Sequence, residues 1–256
     1  MAREVLDNKW VLRAVSLVVL LAGWEIFSRT GIANPVLVAS PTRFIRAAPS
    51  VLSSPVYHDA VLATVVLALQ GLAIAAVLGI FAGAIVGRYR ILDRALSPYL
   101  SALYSTPIPA FIPIITALLG FGIESKLLII VAVAIWPILI NTQQGVKETP
   151  VELLEVARSF RVSEWDIWRD VVLPASVPYI AFGLRLGVTL GLVGVAVAEF
   201  YTSPEGLGFL ILTFARRFDA ASLLVPLMTY TLLALVFAFP FQYAESRLAS
   251  WRGKRG

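Results

Sequence analysis

The chain has 256 residues, 59% of them hydrophobic and 14% charged, with 21 Lys or Arg against 16 Asp or Glu and no cysteine. A soluble domain is about 45–50% apolar and about 25% charged, so this composition excludes an ordinary water-soluble fold and points to an integral membrane protein. Without cysteine there is no disulfide framework, thiolate metal centre or thiol nucleophile, and a single histidine, His58, leaves little for metal or acid–base chemistry.

About 20 apolar helical residues cross a bilayer core. Six segments meet that requirement, at 11–28, 60–87, 96–119, 126–144, 177–199 and 221–243. The expected fold is therefore all-α and polytopic, a single transmembrane domain over 1–256. The first segment has a long apolar run and no small-x-small cleavage site after it, so it reads as a retained span rather than a signal peptide. Six spans put both termini on one side. Most basic residues fall on that side: Arg3, Lys9, Arg13, Arg88, Arg90, Arg94, Lys147, Arg158, Arg161, Arg169 and the tail from Arg247 to Arg255. The positive-inside rule then makes both termini cytoplasmic. The basic excess is topological and not a nucleic-acid footprint, and the tail is expected to lie against anionic headgroups of the membrane lipid.

In the second span Gly71, Gly79, Gly83 and Gly87 share a face, and in the fifth Gly183, Gly187 and Gly191 do the same. Such ladders let helix backbones approach closely, either within the chain or against a second subunit. The third span holds Pro98, Pro107, Pro109 and Pro113. Proline removes a backbone donor and clashes with the preceding turn, so this helix should kink or break. Irregular backbone at membrane depth must be covered by protein or line a wet cavity. That makes Tyr104, Pro107 and Pro109 candidates for a translocation path or gate, with a purely structural kink as the alternative.

Polar groups within spans are costly and often functional, which adds Gln70, Asn141, Arg185 and Glu199 as pore-lining or interhelical candidates. Arg185 and Glu199 would lie about 21 Å apart on a continuous helix, too far for a direct salt bridge.

The loop 149–174 between spans four and five is the most informative segment. Thr149-Pro150-Val151-Glu152 reads as a capping Thr, a Pro at the first helical position and a Glu three residues after the cap. Leu153, Leu154, Ala157 and Phe160 then fall at helical spacing and are expected on one face, with Glu152, Glu155 and Arg158 polar. Ser163-Glu164-Trp165-Asp166 reads as a second cap, followed by Trp165, Trp168 and Val171 or Val172 on one side and closed by Leu173-Pro174. Two short amphipathic helices suit a docking element for a partner or, equally, interfacial helices lying on lipid.

Glu155-Val156-Ala157-Arg158-Ser159-Phe160, continuing through Ser163-Glu164-Trp165-Asp166-Ile167-Trp168 to Val172-Leu173-Pro174, resembles the EAA loop of binding-protein-dependent ABC importer permeases. The resemblance extends over nearly the whole chain. Trp24-Glu25, the extracellular run Asn34 to Thr42, the Pro-rich third span, Trp136 to Thr142, Gly183 to Leu186, Val197-Ala198-Glu199 and Glu205 to Gly208 are similar to the nitrate, sulfonate and taurine branch. It implies a type I, methionine-permease-like fold in the cell inner membrane. It also implies that Glu152, Glu155, Ala157, Arg158, Phe160, Arg161, Trp165, Leu173 and Pro174 couple the chain to an ATPase. The implied partners are two ABC ATPase subunits, a second, identical permease chain, and a periplasmic or lipid-anchored substrate-binding protein. One departure stands out: the family usually has glycine where this chain has Arg161. A left-handed backbone costs a non-glycine residue about 1–2 kcal/mol, so either Arg161 bears that strain or the turn is rebuilt.

The sequence has no Gly-x-x-x-x-Gly-Lys-Ser/Thr phosphate loop. No cofactor is expected in this chain, and ATP and Mg are expected on the partner ATPase, which would leave the permease itself without enzymatic activity. The implied substrate is a small nitrate-, sulfonate- or taurine-like solute; a pyrimidine or vitamin precursor or an aromatic acid is the alternative. An ion-gradient-driven transporter fits less well, because no repeat between the two halves is evident.

Overall fold

The computed structural model describes residues 9–30, 34, 37–202 and 204–252, with side chains as far as Ala244. Arg3, Pro35-Val36 of the extracellular run and the side chains of the basic tail Arg247–Arg255 lie outside the described residues. Regular structure among the described residues is helical throughout. In chain order the α-helices are α1 (Lys9–Arg29), α2 (Pro41–Leu52), α3 (Pro55–Arg88), α4 (Arg90–Tyr104), α5 (Ile112–Leu119), α6 (Ile123–Lys147), α7 (Val151–Ser159), α8 (Glu164–Ile167), α9 (Leu173–Thr202), α10 (Leu207–Arg216) and α11 (Ala220–Arg252). A 3-10 turn, Ile108–Phe111, precedes α5, and a π-helical turn, Trp168–Val172, joins α8 to α9.

Among the described residues, five helical segments are long and apolar enough to cross a bilayer: Lys9–Arg29, Pro55–Arg88, Ile123–Lys147, the continuous Glu164–Thr202 and Ala220–Ala244. A sixth crossing is broken. Arg90–Tyr104 and Ile108–Leu119 qualify together but are bent by 81°. The long helices expose large apolar side chains, Leu20, Val77, Phe81 and Phe239 among them, as helices solvated by lipid do.

The described residues form two compact units. One joins the chain up to Val61 to Glu205–Thr229; the other joins Leu62–Pro204 to the segment from Tyr230 onward. In the first unit, Glu25 on α1 accepts hydrogen bonds from the Thr42 backbone N–H (3.1 Å) and hydroxyl (2.8 Å) and pairs with Arg29. Ser40 caps α2 by accepting from the Arg43 N–H. Residues quoted from two separated motifs, Glu25 and Thr42, thus meet. The Tyr57 and Thr229 hydroxyls lie 2.7 Å apart and tie the start of α3 to α11.

The second unit is organised around α6. Its Ile129, Ile130, Ala134 and Ile138 are at most 1% exposed. The glycine ladders explain how neighbours come so close. A Cβ on Gly83 of α3 would lie 2.4 Å from the Leu139 carbonyl oxygen, and one on Gly187 of α9 would lie 2.5 Å from Ile138 Cγ1. No larger residue fits at either place. The ladders of α3 and α9 therefore pack α6 from within the same chain.

Candidate functional site

α7 begins one residue later than its sequence signature suggests. Pro150 is the N-cap, its side chain makes no capping hydrogen bond, and the buried Thr149 hydroxyl has no hydrogen-bond partner among the described residues. Pro150 cannot continue a backbone ladder from its own missing N–H but its carbonyl accepts from Leu153 and Leu154. The helix also divides its apolar residues between two sides, correcting the single face expected. Leu154 and Ala157 pack with Ala84 and Trp168 on a small core of Val146, Ile167 and Val172. Leu153, Val156 and Phe160 point outward, Phe160 being 80% exposed. Glu152, Glu155 and Arg158 are exposed beside them.

Arg161 adopts the left-handed conformation, with φ +52°. The Arg161 N–H donates to the Arg158 carbonyl (2.9 Å) and the Val162 N–H to that of Ala157 (3.1 Å). That pair of bonds is a Schellman ending, which usually carries glycine at this position. The turn is kept and the arginine bears the strain.

Ser163 then caps the next helix, accepting from the Asp166 N–H at 3.2 Å. Trp165 is 73% exposed, whereas Trp168 and Val172 turn inward, so these residues do not form one face. Leu173-Pro174 does not end the helix either: the chain stays helical from Glu164 to Thr202. The reason is the π-helical turn before it, in which the Leu173 N–H reaches back to the Trp168 carbonyl. The wider turn relaxes the ladder in which the donor missing from Pro174 would be needed.

Two charged ties fix this loop and its surroundings to the bundle. Arg88 at the end of α3 pairs with Glu164. Lys147 at the end of α6 pairs with Asp93 in the first turn of α4 at 2.9 Å, and Asp93 also accepts from Gln143 (2.6 Å) and Ser97 (2.9 Å). The Lys147 hydrogen bond outweighs partial burial and holds the Asp93 carboxyl below its ordinary value. Arg169 is raised by its neighbour Asp170.

The broken third span borders a cavity of about 210 Å³ lined by Tyr104, Pro107, Pro109, Trp136, Val193 and Val197 among others. Three candidates from the sequence, Tyr104, Pro107 and Pro109, come together there. The other four do not line it. Gln70 is exposed on α3. Asn141 donates to the Pro137 carbonyl of its own helix at 2.7 Å. Arg185 stacks its guanidinium 5.1 Å from the Phe182 ring. Glu199, 1% exposed, accepts from the Thr64 hydroxyl at 2.7 Å and from the Tyr230 hydroxyl, joining α9 to α3 and α11.

Residues 75–250 match the family described as binding-protein-dependent transport system inner membrane component. The chain belongs to this family. It is an ABC importer permease subunit of the nitrate/sulfonate-type branch. The formylaminopyrimidine transport permease protein ThiX of Halalkalibacterium halodurans is 29% identical, over 92% of this chain and 94% of its own. The riboflavin transport system permease protein RibX of Chloroflexus aurantiacus is 32% identical over 91% and 84%. The nitrate import permease protein NrtB of a Synechocystis species is 29% identical over 81% and 78%. A chain of the MetNI methionine ABC transporter, solved in inward-facing conformations, superposes with a TM-score of 0.58 at 17% identity, covering 85% of this chain and 99% of that one. The permease therefore has the methionine-permease-like fold and sits in the inner membrane as a multi-pass protein.

Several residues that shape the permease escaped the sequence reading. Asp93 and Lys147 are 54 positions apart, and no local pattern pairs them. Thr64 and Tyr230 are ordinary residues of apolar helices until Glu199 is found between them. Trp136 was visible only as part of a motif. It lines the cavity at the break, and its buried indole N–H has no hydrogen-bond partner among the described residues.

Proposed function

We propose that this permease is the membrane half of an ATP-driven importer and that residues 149–174 couple it to a separate ATPase. The observation that carries this reading is the two-sided loop. Leu154, Ala157, Ile167 and Val172 anchor it to the bundle, while Leu153, Val156, Phe160 and Trp165 are held outward without cover. Apolar and aromatic side chains presented on a short, fixed helix suit insertion into a groove of a soluble partner. In this reading Glu152, Glu155, Arg158 and Arg161 ring the inserted residues, and Leu173-Pro174 pass the movement into α9. ATP closes the ATPase pair, the coupling loops of two permease copies approach, and the spans open outward to accept solute from an extracytoplasmic binding protein. Both termini lie in the cytoplasm on the ATPase side.

The translocation path runs past the break in the third span, along Tyr104, Pro107, Pro109 and Trp136. Glu199, Asn141 and Arg185 serve as ties between and along helices rather than as path-lining groups. The solute is small and is selected by the binding protein, with nitrate-, sulfonate- or taurine-like compounds set against pyrimidine or vitamin precursors. The decisive experiment replaces Phe160 and Trp165 with Asp and measures ATP-driven uptake into vesicles together with co-purification of the ATPase. Truncating an interface anchor typically costs 2 kcal/mol or more, so losing both predicts a fall of about a thousandfold in ATPase affinity. Wild-type coupling in this variant would refute the docking role.

A further inference from the structure

On the coupling-loop side, a cavity of about 470 Å³ opens between the end of α3, the start of α4, the end of α6 and the loop itself. Its wall carries five cationic side chains, Arg88, Arg90, Arg94, Lys147 and Arg158, and one acidic side chain, Asp93. Two of the cations are already compensated, Arg88 by Glu164 and Lys147 by Asp93. Arg90, Arg94 and Arg158 have no ion-pair partner among the described residues. Three uncompensated guanidiniums around one concavity focus a positive potential into it.

Two further features of the same wall favour an anion. Thr149 is only 4% exposed, and its buried hydroxyl has no hydrogen-bond partner among the described residues. Such a group normally has one. α7 also starts at this wall, with Val151 as its first residue and no side-chain cap. The Val151 and Glu152 N–H groups, which precede the first bonded ones at Leu153 and Leu154, and the positive end of the dipole are thus open to an acceptor. Guanidiniums that bind bidentately, a hydroxyl donor and a helix N-terminus are a set suited to a phosphoryl group.

We infer that this cavity binds the phosphate of an anionic phospholipid. Free inorganic phosphate has the same chemistry, but the setting favours lipid. Tyr89 is 58% exposed and Ile91 82% exposed on either side of Arg90, an aromatic and an aliphatic flank typical of the headgroup boundary. Basic pockets beside membrane helices at that level recognise anionic headgroups. A headgroup held here touches the second span, the third span and the coupling loop together, so lipid charge acts on the loop directly. Arg90 and Arg94 lie outside the residues assigned to ATPase docking, so their replacement tests this inference separately from that reading.

The test is native mass spectrometry of the full-length permease in neutral detergent, supplied with phosphatidylglycerol or phosphatidylcholine. Wild type is expected to retain phosphatidylglycerol selectively. R90Q and R94Q each lower that retention about fivefold, the effect of one basic side chain near the membrane surface. The control R46Q, at a basic residue outside the cavity, changes nothing. Both cavity arginines are exposed, so their replacement spares the packing. T149V supplies a second route: loss of one hydroxyl donor lowers retention about fivefold while thermal stability holds or rises, which a structural role for the hydroxyl would not give. Displacement of the lipid by excess inorganic phosphate supports a shared phosphoryl site; resistance to phosphate supports a lipid-only site. Equal retention of the two lipids, or wild-type retention in R90Q/R94Q or in T149V, overturns the inference.

Discussion

Two interruptions of the helical framework, in the loop 149–174 and in the third span, are built in opposite ways. At the loop the backbone is closed. The Schellman bonds at Arg161, the Ser163 cap and the π-helical turn carry the chain from α7 into α9, and an apolar core of Val146, Ile167 and Val172 lies beneath. At the third span the chain loses donors at Pro107 and Pro109 and bends by 81°. Small side chains patch some carbonyls there: the Thr106 hydroxyl donates to Ala102 and the Ser105 hydroxyl to Ser101. A closed interruption transmits displacement as a rigid piece, whereas an open one yields. The loop is suited to be pushed, and the break is suited to change shape when it is.

Closing the break should have the largest effect on this contrast. P107A/P109A returns two backbone donors, and a proline within a helix costs about 3 kcal/mol. A straightened third span then slows ATP-driven uptake about a hundredfold while ATPase binding is unchanged; normal uptake would remove the break from the transport cycle. Next comes Glu199→Ala, which strands the Thr64 and Tyr230 hydroxyls away from either interruption. It should lower unfolding stability in detergent by about 2 kcal/mol and leave ATPase affinity untouched, giving the scale of an ordinary interhelical tie.

Arg161→Gly sharpens the comparison from the other side. Relieving a left-handed arginine should stabilise the loop by about 1 kcal/mol, read as a higher unfolding midpoint with the loop geometry unchanged. The smallest effect belongs to Asp93→Asn, at about 1 kcal/mol or less. Because the folded carboxyl titrates below its ordinary value, its contribution is complete above that ordinary value and is lost as pH falls through the lowered one. Wild type should therefore lose more stability on acidification than the variant, and parallel pH profiles would deny Asp93 this part.

Length, hydropathy and the loop motif made the span count, the fold and the family legible before any coordinates. Those features are local or periodic. The division of α7 into two apolar sides was not legible, since Leu153 and Leu154 are adjacent and equally hydrophobic, and only the core at Val172 decides which turns inward. The continuity of the helix through Pro174 was hidden because proline is normally a stop signal, and the π-helical turn that accommodates it has no sequence signature. Arg161 is the reverse case. The sequence posed the choice between strain and a rebuilt turn, and the backbone angle of +52° resolves it toward strain. For Glu199, charge alone suggested a path or gate, whereas its two hydroxyl partners come from helices far away in sequence.

The glycine ladders on either side of α6 also set a schedule for biogenesis. A chain is made from its N-terminus, so of the two glycine-ladder helices that pack α6 only α3 has been made when α6 enters the membrane. Its second seam, at Ile138 and Ala134, waits for Gly187 of α9, 49 positions later than Ile138 in the sequence. During that interval a groove shaped for a helix faces lipid, and the insertion machinery must keep other small-residue helices out of it. The seam that buries Ile138 against Gly187 is therefore completed only after residues 139–186 have been made.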